Sequence, residues 1–160
     1  MGDATIFDKL QDDHRKHREL LARLGSAEGA DERRQLFGAF RLEVTAHAAA
    51  EEETLYATML ADPDLRHDAQ HSVSEHKEVE DYLEEMDGLD VASPAWSELF
   101  DKMRHRYLHH IDEEEEDMFP AAEAGIADSI VERLGERFDE RKPAELERAE
   151  AGADEGDDRD

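Results

Sequence analysis

HAAAEEETLYATML at residues 47–60 and HIDEEEEDMFPAAE at residues 110–123 share one layout: a histidine, a glutamate four residues on, a second glutamate beside it, and an apolar close. An acidic run such as Asp112–Asp117 reads by itself as a solvated helix face. The spacing says otherwise. On a helix, His47 stands one turn from Glu51 and His110 one turn from Glu114, each pair on a single face. That face is the apolar one. Phe100, Met103, Tyr107, Ile111 and Met118 mark it around the second pair, and Leu36, Phe40, Val44, Ala48, Leu55 and Met59 around the first. A bare ionised carboxylate there costs several kcal/mol or must take up a proton.

Working outward, proline and glycine cluster at Gly25–Ala30, Asp62-Pro63, Gly88–Pro94, Pro120–Gly125 and Pro143, and the segments between them carry apolar residues at three- and four-residue steps. The pattern predicts helices over about residues 4–24, 31–61, 64–86 and 94–119, with a shorter fifth over about 127–141 that ends before Lys142-Pro143. Ser93 before Pro94 reads as an N-cap followed by a first-turn proline. Four long helices with short connections make an all-α, antiparallel up-and-down four-helix bundle. The expected layout is a bundle domain at 1–145 and a disordered acidic tail at 146–160, where apolar residues are too few to order the chain.

The remaining helices carry inward histidines as well. His14 and His17 fall on the stripe of Ile6, Leu10, Leu21 and Leu24, and His76 on that of Val79, Leu83 and Met86. His14 precedes His47 by 33 residues and His76 precedes His110 by 34, so each half of the chain is one helix with an inward His followed by one with an inward His-x-x-x-Glu. The halves form a weak internal duplication. One such pair is ordinarily a buried hydrogen-bonded pair. Two pairs in matching positions, with two further inward histidines, favour cations instead. Four imidazoles and two carboxylates suit two metal ions bridged by the carboxylates, with coordination positions left open for a small ligand. With no cysteine in the chain, thiolate ligands and cysteine nucleophiles are excluded.

The order His14, His47-x-x-x-Glu51-Glu52, His76, His110-x-x-x-Glu114-Glu115, with Asp13-His14 in the first helix and Met118-Phe119-Pro120 ending the fourth, resembles the hemerythrin-like, HHE cation-binding family over roughly residues 4–122. The resemblance implies that His14, His47, Glu51, His76, His110 and Glu114 ligate a non-haem di-iron centre with a bridging oxo or hydroxo group. It implies a protein that binds or reacts with dioxygen, peroxide or nitric oxide in oxidative or nitrosative stress. Peroxide-consuming turnover of a catalase or peroxidase kind stays open beside an iron- or oxygen-binding sensor without turnover, and zinc or manganese suit the same donors.

Oxygen-carrying members have one more histidine, four residues before the third-helix ligand; that position is Ser72 here, and His71 points about 100° aside. This favours redox chemistry or sensing over carriage. His17, one turn beyond His14, is a candidate further ligand or a hydrogen-bond partner of the ligand set. Tyr107, one turn before His110, is a candidate donor to a small ligand, with core packing the favoured reading. Glu52 and Glu115 read as solvated or as carboxylates that orient the imidazoles. Tyr56 and Phe119 read as aromatic closure of the core, and His67, His105 and His109 as surface residues.

The formal net charge is −26, of which residues 147–160 supply seven acids against Arg148 and Arg159. Such a field is expected to repel nucleic acid and anionic membranes. The start MGDATIFDKL has no signal-peptide pattern and no apolar run approaches the ~18 residues of a membrane span, so the expectation is a cytoplasmic protein with small-molecule ligands and unknown protein partners.

Overall fold

Thr5 opens the first helix with a reciprocal cap: its hydroxyl accepts from the Asp8 amide, and the Asp8 carboxylate accepts from the Thr5 amide. From there the computed structural model, which describes residues 4–157, is helical, and no strand occurs among the described residues. Helix α1 spans Ile6–Ser26 and α2 Ala30–Glu51; α2 continues through a π-helical turn, Glu52–Tyr56, into α3, Ala57–Leu60. Helix α4 spans Arg66–Asp87. Helix α5, Pro94–Glu113, continues through a second π turn, Glu114–Met118, into α6, Phe119–Gly125. Ser93 caps α5 through its side chain, with Pro94 in the first turn as expected. Helix α1 packs on α2 and α4 on α5, which makes the antiparallel bundle, and α7, Asp128–Asp157, lies along α2 and α1. No helix of the described residues is long and apolar enough to cross a membrane.

Two apolar clusters fill the bundle. One gathers Ile6, Leu10, Leu55, Met59, Phe119 and Phe138 at one end; the other gathers Leu21, Phe40, Leu83, Trp96, Met103 and Ile111 at the far end. Each is continuous within itself, as a close-packed core requires. Between them runs a buried polar layer in which His14, His47, Glu51, His76, His110 and Glu114 are all 9% exposed or less.

The two π turns sit at matching places in the duplicated halves, each beginning at or just after the inward glutamate. A π turn admits an extra residue into the helix and is frequent at functional sites. Here three successive residues within the turn, Thr54, Leu55 and Tyr56, are buried together. The helix then resumes with its apolar stripe turned back to the core. Pro120 lies in the first turn of α6, directly after the π turn.

Helix α7 departs from expectation. It is 30 residues long, contains Pro143 in its interior, and runs through the boundary expected at residue 145. Proline removes one helical hydrogen bond, but contacts on either side hold the segment. Lys142 Nζ lies 2.9 Å from Asp13 and 3.0 Å from Glu43, Arg141 Nε lies 2.8 Å from Glu53, and Glu145 is 4% exposed. Tertiary docking on α1 and α2 therefore overrides the local break, and the tail expected to be disordered is helical through Asp157. The rest of that tail, residues 158–160, lies outside the described residues.

Candidate metal centre

Each inward imidazole is held from behind. His14 Nδ1 lies 2.7 Å from Glu115 Oε2, His47 Nδ1 2.8 Å from Asp13 Oδ2, His76 Nδ1 3.0 Å from Glu52 Oε2, and His110 Nδ1 2.9 Å from Glu75 Oε1. A carboxylate can only accept, so each Nδ1 carries the proton and each Nε2 faces the interior. This is the carboxylate–imidazole arrangement that fixes the tautomer and ring angle of metal-ligating histidines. The four pairs obey the pseudo-twofold of the sequence: Asp13 corresponds to Glu75 and His47 to His110, while Glu52 corresponds to Glu115 and His76 to His14.

The Nε2 atoms converge on the two glutamates. Glu51 Oε1 is 3.2 Å from His76 Nε2 and 3.6 Å from His47 Nε2; Glu114 Oε1 is 3.1 Å from His110 Nε2 and 3.4 Å from His14 Nε2. His76 and His110 meet at 3.1 Å. Close as these contacts are, both Glu51 oxygens, Glu114 Oε1 and His14 Nε2 lack a partner in hydrogen-bonding direction. Buried polar atoms are nearly always satisfied, and four orphans facing one another mark a place where a cation fits. Two groups within this layer have ligand atoms close enough to hold an ion, His14–His47–Glu51 and Glu51–His76–His110, with Glu51 common to both.

The electrostatics match. Burial drives the His47 imidazole down to about 3 against the pull of Asp13, so it is neutral with its lone pair inward. Burial also opposes charge on His14 and His110, yet Glu114, facing the inward Nε2 of each, raises both to about 9. Burial and the neighbouring Glu114 charge push Glu51 well above the carboxylate range. Glu114 resists its own burial, held well below that range by His110 and His14. Without a cation the layer is balanced by protons.

Tyr56 contributes more than core closure. Its hydroxyl donates to Glu114 Oε2 at 2.6 Å and lies 3.5 Å from His76 Nε2. Phe119, its counterpart in the repeat, has no hydroxyl and stacks on His14, so the two halves differ in polarity. Asp13 and Glu75 are the residues that spacing alone did not mark for a role, although each is the acid directly preceding an inward histidine. Ser72 is buried with its hydroxyl 3.7 Å from Met118 Sδ; His71 is 53% exposed, and His67, His105 and His109 are exposed.

His17 and Tyr107 pair with each other rather than with the glutamates. His17 Nδ1 and the Tyr107 hydroxyl are 2.6 Å apart, and His17 Nε2 faces Glu43 at 3.6 Å. Burial holds His17 below its ordinary value and Tyr107 well above its own, so Tyr107 donates and neutral His17 accepts. The expected result is that His17→Leu or Tyr107→Phe alone costs about 1–3 kcal/mol by stranding the other partner, while the double variant recovers most of that loss. Metal content should not change in any of the three. Denaturant unfolding and elemental analysis check both points, and loss of metal in His17→Leu would make His17 a ligand.

Comparison with known proteins agrees with this geometry. The family model described as the hemerythrin HHE cation binding domain matches residues 5–122. A crystal structure of a hemerythrin HHE cation binding domain-containing protein from Mycobacterium kansasii superposes with a TM-score of 0.79 at 25% identity, covering 91% of this chain and 90% of that one. A protein named DNA nickase from Nostoc sp. is 26% identical over 141 residues, which is 85% of this chain but 38% of that relative's length. That relative corrects the expectation that acidity rules out nucleic acid. Net charge describes an average field, whereas contact with a phosphate is decided by charges within a screening length of about 10 Å. With the match spanning 118 residues that include every inward His and Glu of the buried layer, the chain belongs to the hemerythrin HHE cation binding domain family.

Proposed function

We propose that the chain is a non-haem di-iron protein that binds or reacts with dioxygen, peroxide or nitric oxide. His14 and His47 would hold one ion, His76 and His110 the other, and Glu51 and Glu114 would bridge them. The observation that carries this reading is the shared carboxylate: Glu51 belongs to both candidate ligand groups, and its oxygens are buried without partners. A bound iron pair supplies electrons and Lewis acidity to a small ligand. The protein supplies the rest. The carboxylates behind each imidazole fix its orientation, and Tyr56 holds a hydroxyl proton at Glu114. Two imidazoles and shared carboxylates per ion leave positions free for a small ligand.

Protein produced with iron is expected to contain about two irons per chain, with near-ultraviolet absorption that changes on adding peroxide. Metal-free protein from the same preparation, or one ion per chain with no change, would refute the reading. The loaded protein incubated with supercoiled plasmid tests in parallel for the activity that names the Nostoc relative.

A further inference from the structure

The two halves of the bundle repeat each other in the buried layer but not at the surface that covers it. On the seam between α4 and α5, a cleft of about 50 Å³ has His110 and Glu114 in its floor and Asp68, His71, Glu113 and Asp117 towards solvent. Its inner end is thus the layer in which Glu114 Oε1 has no partner. His71 Nε2 stands between two carboxylates, 3.6 Å from Glu75 Oε2 and 4.0 Å from Glu113 Oε1, and these three residues form a group whose ligand atoms are close enough to hold an ion. His71 and the Glu113 side chain are 53% and 40% exposed, and Glu75 3%.

The repeat supplies the control. The counterparts of Asp68, His71, Glu113 and Asp117 on the α1–α2 side are Ile6, Lys9, Ala50 and Thr54. Ile6 and Ala50 are fully buried, Thr54 turns its hydroxyl to the Ala50 carbonyl, and Lys9 is tied to Asp139 and the Gly135 carbonyl of α7. One seam is closed by apolar residues and a docked helix. Its equivalent is open and lined with donors for a cation.

We propose that this cleft is a divalent-cation portal, in which His71, Glu113 and Asp117 take up the ion from solvent and pass it to His110 and Glu114; the proposal rests on the di-iron reading of the layer beneath. The physical need is dehydration. A hydrated dication must exchange its waters for protein donors to bind among side chains this buried, and oxygen and imidazole donors spaced along the way let it do so in steps. A volume of about 50 Å³ has room for a few waters, enough for a partly hydrated ion. The charge balance favours entry. Arg106 lies 2.9 Å from Glu75 and offsets one charge, and the imidazoles of His110 and His14 offset that of Glu114, but Asp68, Glu113 and Asp117 remain at the rim. Glu113 and Asp117 do not touch the carboxylates that orient the inner imidazoles, and Glu75, which His71 touches, is held independently by Arg106 at 2.9 Å, so loading speed and final occupancy are separable.

The test is the rate at which chelator-stripped full-length protein takes up Fe(II), or Co(II) as a spectroscopic substitute, followed by stopped-flow absorbance. The triple variant His71→Ala, Glu113→Gln, Asp117→Asn is expected to load about tenfold or more slowly, in line with the effect of electrostatic steering on association. It should reach the same final stoichiometry and unfold at the same temperature. Lys102→Gln, at an exposed position about two turns before His110 on α5, should load at the parental rate. Equal loading rates in the triple variant and the parent would overturn the portal. So would a lower final stoichiometry at an unchanged rate, since the rim would then act in holding the ion. Failure of the parent protein to bind any ion would instead overturn the reading of the inner layer.

Discussion

Glu51→Leu is expected to abolish binding of both ions and at the same time to make the metal-free protein more stable, whereas Glu114→Leu should abolish binding and make it less stable. The opposite signs follow from how the two carboxylates are satisfied. Glu51 is fully buried, both of its oxygens lack hydrogen-bond partners, and its carboxyl is pushed well above its usual range by burial and by Glu114. In the absence of a cation it is a buried polar group with no compensation. A leucine of similar volume removes that penalty, which for an unsatisfied buried polar group is about 1–3 kcal/mol. Glu114 differs in two ways: Tyr56 donates to its Oε2 at 2.6 Å, and its charge is opposed by the raised imidazoles of His110 and His14, 3.1 and 3.4 Å from Oε1. Its removal strands a tyrosine hydroxyl and the charge on two buried histidines, a loss of about 3–5 kcal/mol. His47→Ala, which touches only one of the two candidate groups, should leave about one ion per chain. Elemental analysis and denaturant unfolding of stripped protein settle the matter. If Glu51→Leu keeps both ions, or loses stability in stripped protein, the glutamate is a structural group and the shared-ligand reading is wrong.

The residues of the buried layer were legible because two periodicities coincide there. A helical period of 3.6 put His14, His47, Glu51, His76, His110 and Glu114 on core faces, and the duplication put them in register with each other. What stayed hidden is non-local. Asp13 and Glu75 each sit beside one inward histidine in sequence but bond a different one on the neighbouring helix, at 2.8 and 2.9 Å. Helical spacing says nothing about such cross-helix partners. Tyr56 reads as packing because its counterpart is Phe119, and a repeat alignment conceals the hydroxyl in which these two positions differ. The π turns were invisible for a related reason: an added residue inside a helix leaves composition and propensity unchanged and shifts only the face.

Helix α7 shows the other kind of failure. Pro143 and the acidic residues after it argue locally for an end to structure. The argument is outweighed by Lys142, which reaches Asp13 and Glu43 on two different helices, and by the buried carboxylate of Glu145. Asp13 thus joins the imidazole of His47 to the last helix, so that α7 is tied to the metal layer through one carboxylate.

Metal-free protein should be most stable near pH 6.5 and lose stability on either side, and metal should remove the alkaline loss. The alkaline limb comes from His14 and His110. Burial opposes their protonation, but Glu114 raises both from an ordinary value of 6.5 to about 9. A raised folded-state value stabilises through the protonated form, so this contribution is complete below about 6.5 and vanishes as pH climbs through about 9, a loss on the order of a few kcal/mol. Glu51, also raised, acts in the same direction. The acid limb comes from the groups with depressed values. His47, held at about 3 chiefly by burial, and His17, lowered for the same reason, stabilise only while neutral, and that contribution declines as pH falls below 6.5. Glu114 is held down by His110 and His14, so its contribution is present above about 4.5 and lost as it protonates in stronger acid. Bound cations require His14 and His110 without their protons, so loading at pH 7 should release about two protons per chain from these imidazoles. Thermal unfolding of stripped and loaded protein between pH 5 and 10, with proton release followed by calorimetry in buffers of different ionisation enthalpy, measures both effects. A stripped protein whose melting temperature rises from pH 6.5 to 9, or metal uptake with no proton release, would show that the layer is not held by protons in place of metal.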